Sequence, residues 1–292
     1  MSRKGAERCL MLVHAHPDDE SIFTGVTMAR YAAEGARVVL VTCTMGELGA
    51  IRITHPAGQG SDQPSGASRM AMLGQLRARE LEAACAELGV TEHWYLGGPG
   101  RWHDSGMGDH GDPHSFCNAD LDQATDELAV LVRKVQPQVM VTYDANGFYG
   151  HPDHIQAHLV AWRAYQRACQ PLRTKFYTLT MPRPLLADAI NEAQHSEPGG
   201  GETVTPDDFP EIGLPDDRGT TQICAESFLD AKLAALKAHA TQIEVDGPFF
   251  EAVGLPKMRA LGTEYYLQVS GPGAVTDGSG GPEQEDDLFR GL

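Results

Sequence analysis

The sequence predicts an α/β protein: a Rossmann-like, mostly parallel sheet with helices on both faces, plus a smaller C-terminal lobe. Three observations carry that expectation. Short, nearly all-apolar runs at 9–13, 37–43 and 138–143 have the length and composition of strands buried on both faces. Stretches with helical apolar spacing lie between them, so strand and helix alternate along the chain. The two turns richest in His and Asp, 14–20 and 149–154, each stand where such a strand ends. Open α/β sheets build their sites at that edge.

The run 9–13 leads through His14-Ala15-His16-Pro17-Asp18-Asp19-Glu20 into a helix over 21–34, with Ile22, Val26, Met28, Ala29 and Ala32 as its apolar residues. The second strand, 37–43, opens a long loop over 46–66, rich in Gly, Ser and Pro, with Glu47 at its start; loops of that length are often functional. The clearest helix covers 69–88, where Met70, Leu73, Leu76, Leu81, Ala84, Cys85 and Leu88 form one face and Gly89 ends it. Arg77 and Arg79 sit mid-helix, with Glu80 and Glu82 as ordinary partners. A short third strand at 93–96 runs into Gly97-Gly98-Pro99-Gly100 and a loop over 101–118 with Gly and Asp at turn-forming density. His103, His110 and His114 in that loop lack the spacing, or the strand end beside them, that a ligand set needs. A helix at 121–135 and the strand 138–143 complete a βαβ unit, expected to be right-handed. Pro152 suits the first position of the next helix, which continues over 155–169. A further strand is expected at 176–181, and a loop-rich acidic lid or lobe over 182–215. A helix at 225–242 carries His239, for which a place near the site and a core position weigh equally. The Gly-rich, acidic stretch 271–292 reads as a disordered tail. The expected organisation is a catalytic core over 1–182, a variable lobe with a closing helix and strand over 183–270, and the tail.

A chain of 292 residues with 41% hydrophobic residues can bury a sizeable core. Its net charge of −17 argues against nucleic acid or an anionic membrane surface as partner, since both call for a basic patch. A small-molecule substrate is the expected partner. The six cysteines are scattered with no C-x-x-C pair, which suits a reducing compartment. No apolar run approaches the roughly 18 residues of a membrane span, and 9–13 is too short for a signal-peptide core. The expectation is a cytoplasmic protein. No glycine-rich phosphate loop follows any strand, which argues against a nucleotide-binding module.

Two imidazoles and three carboxylates within seven positions are costly to crowd together unless a cation neutralises them. His and Asp are good Zn²⁺ ligands, and a spare carboxylate can serve as a base. The plainer alternative is that Asp18, Asp19 and Glu20 complement a helix dipole. The second turn, Tyr149-Gly150-His151-Pro152-Asp153-His154, favours the metal, because His151 and His154 share one face of a first helical turn. Two such turns can meet at one sheet edge. Three protein ligands and a water form a catalytic rather than a structural zinc site.

Ala-His-Pro-Asp-Asp-Glu at 15–20 and His-Pro-Asp-His at 151–154 resemble the paired signatures of the LmbE-like, GlcNAc-phosphatidylinositol de-N-acetylase family of zinc-dependent deacetylases. The stretches 41–47, 97–107, 142–147 and 238–242 resemble its mycothiol-pathway branch, which acts on N-acetylglucosaminyl-inositol. The resemblance covers 8–270, with 175–221 matching poorly. It implies that His16, Asp19 and His154 hold Zn²⁺, with Fe²⁺ as the other metal such N/O ligands accept. It implies Asp18 as general base, and His151, oriented by Asp153, as the group that stabilises the oxyanion or protonates the leaving amine. Tyr149 resembles the family tyrosine that swings towards the carbonyl oxygen. Arg77, Asp104, Glu47 and Met107 match substrate-binding positions. Amidases of mycothiol S-conjugates and deacetylases of N-acetylglucosaminyl natural-product intermediates share the zinc site, and stand as alternatives.

Overall fold

The computed structural model describes residues 8–49, 66–108, 111–169, 173–188, 205, 221–243, 259–274 and 285–292. Among these, seven strands form one sheet: β1 (Cys9–His14), β2 (Arg37–Thr42), β3 (Glu92–Tyr95), β4 (Val139–Thr142), β5 (Lys175–Thr180), β6 (Thr221–Cys224) and β7 (Thr263–Ser270). Their order is β3-β2-β1-β4-β5-β7-β6. The first five are parallel, and β7 pairs antiparallel with both β5 and β6. The apolar runs are strands because both faces of the sheet are covered. All six residues of β1 and all four of β4 are buried, and each large aliphatic side chain so buried contributes about 1.5–3 kcal/mol.

From β1 the chain winds outwards through β2 and β3, whereas β4 and β5 continue on the other side of β1. The winding therefore reverses between β1 and β4, the crevice at which doubly wound sheets take their ligands. Both His/Asp-rich turns leave the carboxyl ends of these two strands. Parallel pairing of Leu10 with Val139 and Leu12 with Val141 brings the turns side by side.

Helices α1 (Asp19–Ala33), α2 (Ala67–Glu87) and α6 (Leu229–Ala238) pack together on one face; α3 (Leu121–Val135) and α5 (Pro152–Ala168) pair on the other. A single turn, α4 (Gly147–Gly150), precedes α5. Helix α1 breaks at Thr24 (φ −135°, ψ 15°). The N–H groups of Val26 and Thr27 donate to Glu264 of β7 (3.1 and 2.9 Å). Lys232 of α6 pairs with the same carboxylate at 2.8 Å, so a buried ion pair ties the late elements to α1.

The chain end departs from the expected disordered tail. Leu288 and Phe289 are buried, Tyr31 donates to Asp287 (2.9 Å), and Leu288 N–H donates back to the Tyr31 hydroxyl (2.8 Å). Two adjacent apolar residues behind an acidic run suffice to anchor 285–292 on α1. The part of the expected loop at 50–65, His110, most of the expected lid or lobe over 182–215 and residues 275–284 lie outside the described residues.

Candidate active site

Past β1 the backbone turns sharply at Asp18, whose φ of 120° and ψ of −31° lie outside the regions open to most L-residues. Such a conformation costs about 1–3 kcal/mol and persists only where its surroundings hold it. Here Asp18 N–H donates to Glu20 Oε2 (2.9 Å), while Arg77, reaching over from α2, donates to the Pro17 carbonyl and to Asp18 Oδ2 (3.0 Å). The same guanidinium donates to the Gly46 carbonyl (2.8 Å), and a Cβ at Gly46 (φ 69°) would overlap it. Arg77 is 2% exposed.

The turns after β1 and β4 meet. His16 Nδ1 lies 3.3 Å from His154 Nε2 and 3.3 Å from Asp19 Oδ2, and the third side of the triangle is 3.5 Å. A tetrahedral ion bonded at about 2.0–2.1 Å sets its ligands about 3.3 Å apart, so the three atoms fit a small divalent metal. The outer contacts agree. His154 Nδ1 faces the Gly147 carbonyl (3.2 Å), and His16 Nε2 faces Asp153 Oδ2 (3.1 Å). With hydrogens on those outer nitrogens, both inward nitrogens carry lone pairs, the tautomers a metal needs. Tyr143, at the end of β4, stacks on His154 (4.0 Å between ring centres) and donates to Asp19 Oδ2 (2.6 Å).

Electrostatics mark the same spot. Burial opposes charge on His16, yet Asp104, Asp153 and Asp19 outweigh it and hold its pKa well above 6.5. Burial raises Asp18, and Asp19 adds to it against the pull of Arg77. His151, crowded by burial and by His16 and His154, drops to about 4 and is neutral at pH 7.

His151 and Tyr149 flank the triangle. His151 stacks on His154 (4.8 Å between centres), and Tyr149, 46% exposed, sets its ring edge-on to His154 at 5.0 Å. The expected orientation of His151 by the Asp153 carboxylate is corrected. That carboxylate turns to His16 and accepts from Ser105 N–H (2.8 Å), while His151, as the N-cap of α5, accepts the Asp153 backbone N–H at Nδ1 (3.1 Å). Capping the helix takes the contact that the side chain was expected to make.

Asp104 and Glu47 stand beside this cluster, both buried. Asp104 Oδ1 is 3.4 Å from His16 Nε2, and Asp104 N–H donates to Glu47 Oε2 (3.1 Å). Met107 is 68% exposed. Arg77 approaches Asp104 only to 3.9 Å, and its Nη donors go to Pro17, Asp18 and Gly46. His103 and His114 lie outside the cluster, with His103 facing Asp112.

Residues 11–165 match the family model described as GlcNAc-PI de-N-acetylase. The chain belongs to the GlcNAc-PI de-N-acetylase family. Among curated relatives it is 47% identical, over 98% of its length and 95% of the relative's, to the 1D-myo-inositol 2-acetamido-2-deoxy-alpha-D-glucopyranoside deacetylase of Acidothermus cellulolyticus. The fold is shared with the A40926 pseudoaglycone deacetylase Dbv21 (TM-score 0.55, 17% identity, 88% of this chain and 95% of that one). It is shared too with the N,N'-diacetylchitobiose deacetylase of Pyrococcus horikoshii (TM-score 0.54, 17% identity, 89% and 82%). The family's paired motifs thus face each other across one cluster, which among the described residues gathers His and Asp side chains able to hold a metal.

Two participants escaped the motif reading in these roles. Tyr143 looked like the last residue of a strand, and Glu20 was weighed only as a complement to the helix dipole. A tyrosine closing a buried strand, at the edge where such sheets build their sites, was the available signal for the first.

Proposed function

We propose that this protein is a metal-dependent hydrolase that removes the N-acetyl group from N-acetylglucosaminyl-inositol, the deacetylation step of mycothiol biosynthesis. The triangle of His16 Nδ1, Asp19 Oδ2 and His154 Nε2 carries the reading, supported by near-full-length similarity to a deacetylase of that substrate. Zn²⁺ held by these three atoms would supply Lewis acidity at the acetyl oxygen and bring a water's pKa near 7.

The chain's own groups do the rest. Asp18, raised into the range where a base works near neutral pH, takes the proton from the attacking water. His151 keeps its Nδ1 occupied by the Asp153 N–H, so the neutral ring carries its proton on Nε2. That hydrogen is the donor for the developing oxyanion, while the proton that Asp18 took from the water is the one passed to the departing amine. Tyr149, partly exposed beside both rings, is placed to close over the acetyl group. Asp104, Glu47 and Met107 face the sugar and inositol. Arg77 serves the substrate by holding the Asp18 turn, since its Nη donors are taken up within the chain. All six cysteines are free thiols, in keeping with a cytoplasmic enzyme. No helix among the described residues is long and apolar enough to cross a membrane.

Acetate release from a panel of N-acetyl amino sugars tests the substrate. Asp104→Ala should lower kcat/KM for N-acetylglucosaminyl-inositol by roughly 10- to 10³-fold, through lost hydrogen bonds and misplacement of the amide. Free N-acetylglucosamine should suffer less. Equal losses on both, with a lower Tm, would assign Asp104 to structure. Preference for a mycothiol S-conjugate or another glycoside would move the chain to a sister activity with the same metal chemistry.

Metal uptake should also release a proton. Without a cation, Asp104, Asp153 and Asp19 raise the pKa of His16 against the effect of burial, and this favours the protonated ring. The metal must displace that proton, so apparent affinity climbs about tenfold per pH unit below the raised pKa and levels off above it. Titration calorimetry of the metal-free protein in buffers of different ionisation enthalpy should report release of about one proton at pH 7. A pH-independent affinity between pH 6 and 8 would contradict this.

A further inference from the structure

One buried polar contact has no place in the chemistry above. His239 caps the C-terminal end of α6 and is 0% exposed; its Nε2 lies 2.7 Å from Glu20 Oε1, on a carboxylate that is also 0% exposed. Glu20 further accepts the Ser21 hydroxyl (2.5 Å) and, at Oε2, the N–H of Asp18 (2.9 Å). The segment around His239 is itself pinned, because Glu80 of α2 accepts from both the N–H and the hydroxyl of Thr241 (2.9 and 2.7 Å). Two buried glutamates, one on α1 and one on α2, thus grip residues 239–241.

We infer that His239 is a positioning residue for hydrolysis: by holding the Glu20 carboxylate, it fixes the strained backbone of Asp18 and so the direction in which the Asp18 carboxylate points.

The physical reason lies in the shape of that turn. Asp18 caps α1 without a side-chain bond of its own, and its N–H, standing ahead of the helix, has no intrahelical carbonyl to reach. Glu20 reaches back to that N–H as the acid of a capping box does. A fully buried carboxylate can keep this place only if donors surround it. His239 supplies a donor from outside the motif, across 219 residues of sequence. Arg77 grips the other side of the turn through Pro17 and Asp18. Without His239, Glu20 can swing towards other donors and Asp18 can relax to an ordinary conformation. His16 and Asp19 are held separately, by Asp153 and Tyr143, so metal binding does not depend on this prop.

The inference rests on Asp18 being the base, and the test separates the two. His239→Ala should lower kcat by roughly 10- to 10²-fold, the usual cost of losing an outer support, with KM and metal content unchanged. Glutamine places a donor nitrogen where His239 carries Nε2, so His239→Gln should return kcat to within about threefold of the parent; asparagine, whose nitrogen falls short, should not. In an Asp18→Asn background, His239→Ala should cost nothing more, since the residue being positioned is gone.

An equal fold-loss from His239→Ala in both backgrounds overturns the inference and leaves Asp18 as the base. Full turnover in Asp18→Asn alone removes the base assignment, and the inference with it. Should His239→Ala fold poorly, the Gln and Asn variants decide: equal kcat in both overturns the positioning role.

Discussion

His154→Ala is expected to lose bound metal and deacetylase activity together. His154 is fully buried, stacked between Tyr143 and His151, and its Nε2 completes the triangle with His16 and Asp19. Two remaining ligands leave a catalytic zinc site short of its usual three. The loss in activity should exceed the roughly 10- to 100-fold typical of outer contacts such as Asp153. Elemental analysis of purified protein, beside the acetate-release assay, measures both. A variant that keeps a full metal complement would show the ligand set to be wrong. Adding excess Zn²⁺ should not restore the rate, because the geometry and not merely the affinity has gone.

Asp18→Asn should instead keep its metal while kcat falls by roughly 10²- to 10⁴-fold, the range associated with a positioned general base. Asparagine retains the size of Asp18 and can still meet Arg77 through its amide oxygen, so the turn should survive. The pH dependence carries a sign. Burial and the neighbouring Asp19 raise the Asp18 carboxyl against the pull of Arg77. A base works only when ionised, so kcat/KM should decline as pH drops through an acid limb lying well above 3.8, the ordinary aspartate value. In Asp18→Asn that limb should flatten. Unchanged turnover would move the proton to another group, with His151 the nearest candidate, and loss of metal would place Asp18 among the ligands or their supports.

Much of this centre could be read from the chain because its parts are local. His16, Asp18 and Asp19 stand within four positions, and His151 and His154 within another four, each behind an apolar run that can only be a buried strand. Helix α2 was legible from its apolar spacing, although it begins at Ala67 rather than 69. What escaped depends on long-range meetings. The His16–Asp153 contact joins residues 137 apart, and the Glu20–His239 contact joins residues 219 apart. No spacing rule connects such pairs. Arg77 was expected as a substrate contact from the resemblance alone, and no spacing rule announced that its Nη groups would also donate to the backbone carbonyls of Pro17 and Gly46. Strands β6 and β7 were harder still: β6 is a short edge strand and β7, though paired on both sides, is half-exposed, so neither has the continuous apolar run that marked β1 and β4. The anchoring of Leu288 and Phe289 was hidden by the acidic, glycine-rich composition around them.

The parallel register of β1 against β4 makes the metal a witness to folding. His16 lies just beyond one strand and His154 in the first turn of the helix that follows the other, and the pairing of Leu10 with Val139 and Leu12 with Val141 underlies the 3.3 Å approach of their ring nitrogens. A slip by one residue would shift one motif against the other by about 3.3 Å along the strands. No chelating triangle would then form. Misregistered chains, even compact ones with most of their secondary structure, should therefore bind the ion poorly, while the ion rewards the one alignment that presents all three ligands. Metal uptake during refolding would then act as a proofreading step, timed to the docking of the two halves of the sheet rather than to collapse.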